Sequence, residues 1–538
     1  MYVFRFCSFL CRLFGVVWFL SFLVGFGFAK TLIYCPSSSP EGFDPAIYAG
    51  ADTFQATRVI YDRLVTFGDN IDEVHPLLAE SWEVSPDGLS YTFHLKRGIK
   101  FQTTPYFKPT RALNADDVIF SFERQWKTDN PWYHYLKGAS WQVFDTMGFG
   151  ELLKSIVKID DYTVRFTLTR TEAPFLGDLA MDFASILSKE YADQLTAQGR
   201  MVNLNSLPIG TGSFSLVTYQ KNAMVRYNAN PDYFLGKAAL DILVFSIVTD
   251  PMTRLEKLRA GECQIVAGLN PSQIPALKAD KNFVVETLPG LNLGYMAYNT
   301  EQAPFDKVEV RQALNMAINK QAILDYVYLG MGRSAKTSLP EAMWGVNKDI
   351  PDTLYNPQAA KALLEKAGVK DLKTTIWAMS VSRAYMPNAR RAAELIQADW
   401  AQVGVRAEIR SMDWETYQIL GAQKGRDGAI FLGWATSNGD PDDFMGNLWS
   451  CAGIDTNNYA RWCYPPYETL IRTARTTLDK NKRVALYEEA QKVFYDQAPA
   501  LLIAHARIPV VFSKRVKNYA HDALGFHKFG QMDIGKGV

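Results

Sequence analysis

Two short segments place charged side chains at the ends of apolar runs, where ligand sites are often built. The first runs from Trp377 to Asn388 and carries Arg383 after a predicted apolar strand. A guanidinium in this position binds a carboxylate through two parallel hydrogen bonds, and partial burial strengthens the contact. Arg383 is therefore a candidate anion-binding residue. The alternative interpretation is an ordinary surface ion pair, which would contribute little.

The second segment, Gly433 to Phe444, follows another apolar run and contains Trp434 with three acids, Asp440, Asp442 and Asp443. Carboxylates in such a loop could hold an ammonium group, and Trp434 could form an apolar wall beside it. The alternative is that Asp440 caps the turn that follows and that the other two acids are solvated.

Known catalytic motifs are missing from the sequence. It has no GxSxG nucleophile elbow and no GxxxxGK[ST] phosphate loop, and none of its six histidines falls in an HExxH pair. With 56 acidic residues, no single carboxylate pair is informative about glycosidase chemistry. The sequence therefore favours binding over catalysis, and neither a cofactor nor a metal is expected. A secreted hydrolase of unusual type is the alternative from another functional class.

Local signals predict the elements that would position these segments. Asn114 and Asn356 each precede a helical pattern and are predicted N-caps. A turn at Pro86-Asp87-Gly88 predicts a β-hairpin around it. Further helices and strands are predicted by periodicity at 308–318, 357–367, 389–403, 405–409 and 428–434. Alternating helices and strands at this length imply an α/β protein with more than one sheet.

The composition is that of a large folded protein. Of 538 residues, 48% are hydrophobic and 21% charged, and domains of about 150 residues give roughly three or four of them. The 57 basic and 56 acidic residues leave a net charge of +1. This balance supplies no basic surface, so nucleic-acid binding is not expected.

Residues 1–29 have the features of a secretory signal peptide. Arg5 and Arg12 form a basic start, an apolar run extends from Leu13 to Phe28, and the small residue Ala29 follows. We expect cleavage after Ala29 and export to the periplasm. An uncleaved anchor is the alternative, disfavoured because the apolar run is shorter than the roughly 20 residues of a spanning helix.

Four cysteines lie beyond the expected leader, at Cys35, Cys263, Cys451 and Cys463. An even number in an oxidising compartment favours two disulfides, and three pairings are possible. Cys451 and Cys463 lie twelve residues apart in a loop-like segment, which favours a local bond between them. Cys35 would then pair with Cys263, placing both in one domain. The spacing does not suit zinc.

Several sequence blocks together resemble one protein family. They are LAESWEVSPDGLSYTFHLKRGIKF (78–101), LNADDVIFSFER (113–124), PIGTGSF (208–214), VRQALNMAIN (310–319) and AELIQADWAQVGV (393–405). The combination is similar to the family 5 extracellular solute-binding proteins, which deliver peptides, and in some members heme or nickel, to ABC importers. The segments WAMSVSRAYMPNARR and QAPALLIAHA bring the chain closest to the dipeptide-binding subgroup.

The resemblance implies a two-lobed α/β fold with a hinge and an extra inserted domain. Lobe I is expected from 30–62, 212–288 and 510–538, the inserted domain at 63–211 and lobe II at 289–509. The resemblance also implies a short peptide ligand, an inner-membrane ABC permease as partner, and a monomer. Relatives that bind heme, glutathione or antimicrobial peptides share this framework, so those ligands are alternatives.

The family's ligand residues carry over to positions in this chain. In the dipeptide-binding subgroup, the arginine of an RxYxPN segment pairs with the ligand's carboxylate. It corresponds to Arg383, with Tyr385 beside it. The tryptophan of the subgroup's GWxxDxGDPD pattern corresponds to Trp434.

One position departs from the family pattern. The aspartate of GWxxDxGDPD, which pairs with the ligand's ammonium, corresponds to Ser437. A serine supplies a hydrogen bond but no charge. Either Asp440, Asp442 or Asp443 compensates, or the ligand lacks a free amine at this place.

Overall fold

The protein is described by a computed structural model that covers residues 29–68 and 70–535. Apart from Ala29, the expected signal peptide lies outside the described residues, so its cleavage stays a prediction. Over the described part of the chain, no helix combines the length and the apolar character needed to cross a membrane.

The described residues form 21 strands and 16 α-helices, with short 3₁₀ turns and one π-helical turn between them. The strands are β1 (Thr31–Cys35), β2 (Val65–Phe67), β3 (Val74–Pro76), β4 (Ala79–Val84), β5 (Ser90–Leu95), β6 (Leu153–Asp160), β7 (Thr163–Leu168), β8 (Phe214–Gln220), β9 (Met224–Ala229), β10 (Ile242–Ser246), β11 (Ile265–Val266), β12 (Phe283–Leu288), β13 (Asn292–Tyr298), β14 (Gly332–Ser334), β15 (Lys373–Trp377), β16 (Arg406–Arg410), β17 (Ala429–Ala435), β18 (Ala500–Ala506), β19 (Ile508–Ser513), β20 (Val516–Lys517) and β21 (Asp533–Ile534). The helices are α1 (Ala51–Thr57), α2 (Ala115–Trp126), α3 (Gln142–Thr146), α4 (Phe149–Leu152), α5 (Phe175–Asp178), α6 (Lys189–Ala197), α7 (Pro251–Arg259), α8 (Ile274–Ala279), α9 (Val308–Met316), α10 (Lys320–Ile323), α11 (Pro357–Lys366), α12 (Ala389–Gln402), α13 (Trp414–Gly421), α14 (Pro441–Trp449), α15 (Pro465–Thr476) and α16 (Lys480–Gln497).

Seven strands form the first sheet, in the order β12-β19-β11-β1-β10-β9-β8. β1 lies inside this sheet and runs parallel to both of its neighbours, β10 and β11. Leu32, Tyr34 and Cys35 are buried there. Because parallel neighbours need long crossover connections, the strand beside Thr31 begins only at Ile242.

Both predicted disulfides are present. Cys35 at the end of β1 is bonded to Cys263, at a sequence separation of 228. Cys451 is bonded to Cys463, at a separation of 12. The pairing predicted from the cysteine spacing is therefore confirmed.

A second sheet has four antiparallel strands in the order β4-β5-β7-β6, and α2 packs against β6 and β7. The predicted cap at Asn114 begins this helix, since its side chain accepts a hydrogen bond from the Asp116 N–H at 3.0 Å. Tyr91 and Phe166 from this sheet belong to the same apolar core as residues of β1. The four-stranded and seven-stranded sheets thus share one core.

A third sheet of six strands has the order β14-β18-β13-β17-β15-β16 and a separate apolar core. β13 and β18 are buried along their whole length. β15 runs parallel to both β16 and β17, and Trp377 at its end pairs with Ile430 near the start of β17, so β17 extends further in the same direction. Two separate cores are typical of a two-lobed α/β protein, as predicted. The residue bounds of the domains stay a prediction.

The chain passes between the two cores twice, from β12 to β13 and from β18 to β19. Asn292 ties these crossings together, because its Nδ2 donates to Ala506 O and its Oδ1 accepts from Ala506 N, each at 2.9 Å. A Cβ on Gly290 would lie 1.5 Å from Ala506 O, so only glycine fits this approach. The two crossings therefore run side by side, as the strands of a hinge do.

Candidate functional site

Two loops of the six-stranded sheet meet beside the carboxyl-terminal half of β17. The loop of residues 378–388 joins β15 to α12, and the loop of residues 436–440 joins β17 to α14. The Tyr385 ring of the first loop packs on β17, because a Cβ on Gly433 would lie 2.1 Å from Tyr385 Cδ2. The structure thus brings together the two segments predicted to hold ligand residues. Ligands commonly bind at the carboxyl ends of parallel strands.

Arg383 lies in a tight turn whose main chain is fixed by hydrogen bonds. Arg383 N donates to Met386 O at 3.2 Å, and Met386 N donates to Arg383 O at 3.0 Å. Met386 is buried, whereas Arg383 is exposed. The guanidinium carbon is 5.4 Å from the centroid of the Trp414 ring, and no carboxylate of the described residues lies within 4.0 Å of the guanidinium. Arg383 is therefore available to an anionic group.

Tyr385 is half-buried beside Arg383 and is held by its main chain. Tyr328 Oη donates to Tyr385 O at 2.7 Å. A Cβ on Gly294 would lie 2.2 Å from the same carbonyl oxygen. Burial raises the pKa of the Tyr385 hydroxyl, and the nearby Arg383 opposes this shift. At neutral pH the hydroxyl is therefore uncharged and able to donate to a ligand.

Trp434 and Ser437 are both tied to the carboxylate of Asp443. Trp434 Nε1 donates to Asp443 Oδ1 at 3.0 Å, and Ser437 N donates to Oδ2 at 2.8 Å. Asn447 Nδ2 also donates to Oδ1, at 3.0 Å. Trp434 and Ser437 are half-buried, while Asp443 is buried beneath them. Burial raises the pKa of Asp443, and the hydrogen bonds oppose this shift.

Asp440 has two internal partners. It caps α14, as the alternative interpretation of the sequence foresaw, because its Oδ1 accepts from Asp442 N at 2.9 Å. Arg483 Nη1 and Nη2 donate to its two oxygens at 2.8 and 2.7 Å, and both side chains are buried. Burial raises the pKa of Asp440, and Arg483 opposes this shift. Asp440 therefore has a structural role at the start of α14, and a ligand contact by this residue stays a prediction.

Asp442 is also paired with an arginine. Arg475 Nε and Nη2 donate to Asp442 Oδ2 at 2.9 and 2.6 Å. Arg475 Nε is 3.7 Å from Glu172 Oε1 as well, and burial raises the pKa of Glu172 to about 7. Asp442 and Asp443 are only 6% and 3% exposed. The alternative in which these two acids are solvated is therefore wrong.

Asn438 connects this loop to the helix α5, which belongs to the other core. Asn438 Nδ2 donates to Asp178 Oδ1 at 2.7 Å, and both residues are buried. Burial raises the pKa of Asp178 well above its ordinary value, and the hydrogen bond from Asn438 opposes this shift. Nearby, Ala173 N donates to Arg475 O at 2.8 Å. The two cores are thus joined here in addition to the two chain crossings.

A cavity of about 770 Å³ lies between residues 145–178 and 438–476. Its lining includes Asn438, Asp442 and Asp443 but neither Arg383 nor Ser437. The cavity therefore borders the loop of residues 436–440 through Asn438 but does not include the unpaired guanidinium of Arg383. Within the ranges that the structure describes, no three His, Cys, Asp or Glu side chains are grouped to hold a metal.

Sequence reasoning missed the partners of the predicted residues. Arg483 lies 43 residues from Asp440, and Asp178 lies 260 residues from Asn438. Trp414, at the start of α13, was likewise not considered as a neighbour of Arg383. A single arginine or aspartate in a helix carries no local signal of a distant partner, so these contacts follow only from the folded chain.

Comparison with known proteins gives consistent matches along the chain. Residues 73–456 match the bacterial extracellular solute-binding proteins, family 5 (middle region). The dipeptide-binding protein of Escherichia coli K12 is 51% identical over 509 residues, covering 94% of this chain and 95% of that protein. Heme-binding protein A of Haemophilus influenzae is 43% identical over 502 residues, covering 93% and 91%.

A solved structure shows the same architecture. The dipeptide-binding protein from Pseudoalteromonas sp. SM9913, in complex with Met-Leu, superposes with a TM-score of 0.83 at 37% identity. The match covers 94% of this chain and 100% of that one. The similarity therefore extends over both cores and the loop that carries Arg383.

Proposed function

The chain belongs to family 5 of the bacterial extracellular solute-binding proteins, and from this premise we propose that it binds short peptides and delivers them to the permease of an ABC importer. The observation that carries the proposal is the meeting of the Arg383 loop and the Trp434–Ser437 loop beside the carboxyl-terminal half of β17. Such a site binds the terminal carboxylate of a short peptide at one loop and its ammonium group at the other. Its work is binding, since the family is one of solute-binding transport proteins.

The Arg383 guanidinium binds the ligand's terminal carboxylate in this proposal. It is exposed and has no carboxylate partner among the described side chains, and the neighbouring Tyr385 hydroxyl is a neutral donor. A guanidinium and a carboxylate form two parallel charge-assisted hydrogen bonds. The ion pair becomes stronger when the lobes close over the ligand and exclude water.

The other loop receives the peptide's amino end. Trp434 forms an apolar wall, and the Ser437 hydroxyl accepts a hydrogen bond from the ammonium. Asp440 shapes the loop by capping α14 and pairing with Arg483, without touching the ligand. This arrangement suits a dipeptide whose two ends lie between Arg383 and Ser437.

Transport requires that the permease recognise one state of the binding protein. Closure of the two lobes around the ligand, by bending at the two crossings near Gly290 and Ala506, supplies that state. We further propose that the protein is a periplasmic monomer released by cleavage after Ala29, with the domain bounds expected from the sequence.

Heme is a second candidate ligand, because heme-binding protein A of Haemophilus influenzae is 43% identical to this chain. In the described ranges, His505 is buried and bonded to Asn292 O, and His527 is half-buried and bonded to the Tyr519 hydroxyl. Neither imidazole lies at the proposed site, so the peptide is the better supported ligand. Titration with heme, followed by its Soret band, distinguishes the two.

The test is native mass spectrometry of the purified protein with co-purified ligand retained, followed by calorimetric titration with Met-Leu. We expect bound peptides, and at least tenfold weaker binding of both the C-amidated and the N-acetylated dipeptide. Binding of neither co-purified nor added peptide would contradict the proposal. A Soret shift without peptide binding would assign the site to heme instead.

A further inference from the structure

The three acids at the start of α14 differ in how their charges are matched. Asp440 is paired with Arg483, and Asp442 is paired with Arg475. Asp443 receives hydrogen bonds from uncharged groups, namely Trp434 Nε1, Ser437 N, Asn447 Nδ2 and the Thr436 side chain. No cationic side chain of the described residues lies within 4.0 Å of it. Asp443 is therefore the acid of this loop that has no cationic partner among the described residues.

Asp443 lies directly behind the two residues assigned to the ligand's amino end. Its Oδ2 holds the main chain of Ser437 at 2.8 Å, and its Oδ1 holds the Trp434 ring at 3.0 Å. Ser437 occupies the position at which the family pattern has an aspartate. Position 437 at the loop surface therefore lacks the carboxylate of the family pattern, and the carboxyl group of Asp443 lies beneath it.

We propose that Asp443 is a specificity-determining residue that supplies the negative charge for the ligand's ammonium, in place of a carboxylate at position 437. The inference rests on the proposed function. Asp443 is 97% shielded from solvent, since its exposure is 3%, and a charge in such surroundings is little screened. Its charge therefore acts on an ammonium that is hydrogen-bonded to the Ser437 hydroxyl.

This arrangement has a consequence for the class of ligand. A serine is smaller than an aspartate, and the charge beneath it acts over several ångströms instead of through a dedicated contact. The site should therefore accept a methylated ammonium, which keeps its charge, nearly as well as a primary one. It should reject an acetylated amine, which has none.

The experiment measures the dissociation constants of Met-Leu, its N-methyl form and its N-acetyl form by calorimetry. The acetylation penalty is the ratio of the constants for the acetylated and free peptides. For the wild-type protein we expect a penalty of at least tenfold and an N-methyl ratio below threefold. In Asp443→Asn, the acetylation penalty should fall below threefold.

Two double variants move the charge without removing it. Asp443→Asn with Asn447→Asp shifts the carboxylate by one helical turn and keeps a hydrogen bond between the two side chains. This double variant tests the position of the charge if Asp443→Asn alone does not fold. Its penalty should also fall. Asp443→Asn with Ser437→Asp puts the charge on the loop surface, and the penalty should return. Asp496→Asn, an exposed acid, is the matched control and should behave as wild type.

The outcomes separate this inference from the proposed function. If wild-type protein binds none of the three peptides, the proposed function fails and this inference fails with it. If wild-type protein binds Met-Leu but the folded Asp443 variants keep its acetylation penalty, only the role of Asp443 is overturned. An N-methyl penalty as large as the acetyl penalty would also overturn it.

Discussion

Arg383 has no carboxylate partner within the described ranges, in contrast to three of the buried arginines of this protein. Arg124, Arg461 and Arg483 each hold an aspartate or glutamate. Arg383 is instead exposed, in a turn that Met386 anchors in the core. Its main chain is fixed before any ligand arrives, so the conformational entropy lost on binding is mainly that of the side chain.

Arg383→Ala should weaken peptide binding by about 2–5 kcal/mol, because the peptide carboxylate would be left unpaired in the closed site. Calorimetry with Met-Leu measures this loss. Folding should be little changed, since the side chain is exposed. Arg390→Ala, an exposed arginine on α12 that pairs only with Glu394, is the control. If Arg383→Ala loses the same affinity for the free and the C-amidated peptide, Arg383 contacts a group other than the terminal carboxylate.

Asp440→Asn should act on stability instead of affinity. The substitution removes one charge of a buried pair and leaves Arg483 without its counter-ion, which typically costs about 3–5 kcal/mol. Denaturant unfolding measures the change. Retention of wild-type stability together with a selective loss of affinity for free-amine peptides would return Asp440 to the ligand site.

At the scale of helices and strands, the sequence predicts contacts between neighbouring residues but not contacts between residues far apart in the chain. Asn114, Asn356 and Asp440 each cap the helix that follows, as their position in the sequence indicates. The cap is a contact between neighbours, so its residues carry the information. The meeting of Tyr385 with Gly433, by contrast, depends on the order of β15 and β17 in the sheet. That order follows from packing, which no short segment encodes.

The two disulfides should stabilise the protein unequally. In the chain-entropy model, a bond that closes a longer loop restricts the unfolded chain more. Replacing Cys451 and Cys463 by serine should cost about 3 kcal/mol, and replacing Cys35 and Cys263 about 5 kcal/mol, given separations of 12 and 228. Denaturant unfolding of the two double variants measures both costs. Equal costs would contradict the loop-length argument.

Glu172 should make stability depend on pH. Burial raises its pKa from 4.5 to about 7, against the opposing effect of Arg475. The folded protein therefore binds more protons than the unfolded chain between these values, so this group's contribution is fully present below pH 4.5 and is lost as pH rises through about 7. The loss is on the order of 3 kcal/mol.

Glu172→Gln isolates this contribution, because glutamine does not titrate. As pH rises from 4 to 8, the free energy of unfolding of the wild type should fall relative to that of the variant. Arg170, Arg475, Asp442 and Asp178 surround the group and remain in both proteins. A difference independent of pH would mean that Glu172 is ionised throughout.

At the scale of the whole molecule, the proposed closure depends on contacts between the two cores as well as on contacts with the peptide. Asp178 of α5 accepts a hydrogen bond from Asn438 and so links the two cores. Asp178→Ala should lower peptide affinity by about 1–3 kcal/mol, because the closed form would bury an unpaired amide. Calorimetry measures the affinity, and small-angle scattering measures the fraction of closed molecules.

Asp178→Asn is the matched control for this prediction. Its amide oxygen still accepts from Asn438, so affinity should stay close to that of the wild type at pH 7. Similar losses in the alanine and asparagine variants would show that the hydrogen bond does not contribute to closure.

The position of β1 inside the seven-stranded sheet bears on how the chain is completed during synthesis. Its neighbours appear only with residues 242–246 and 265–266, and the sheet also needs β19 at 508–513. The six-stranded sheet, in contrast, has all its strands within 292–506. The six-stranded sheet, which begins later in the chain, therefore has all its strands before the seven-stranded sheet does. The amino-terminal strand thus belongs to the sheet that is completed last, when β19 is added beside β11 and β12.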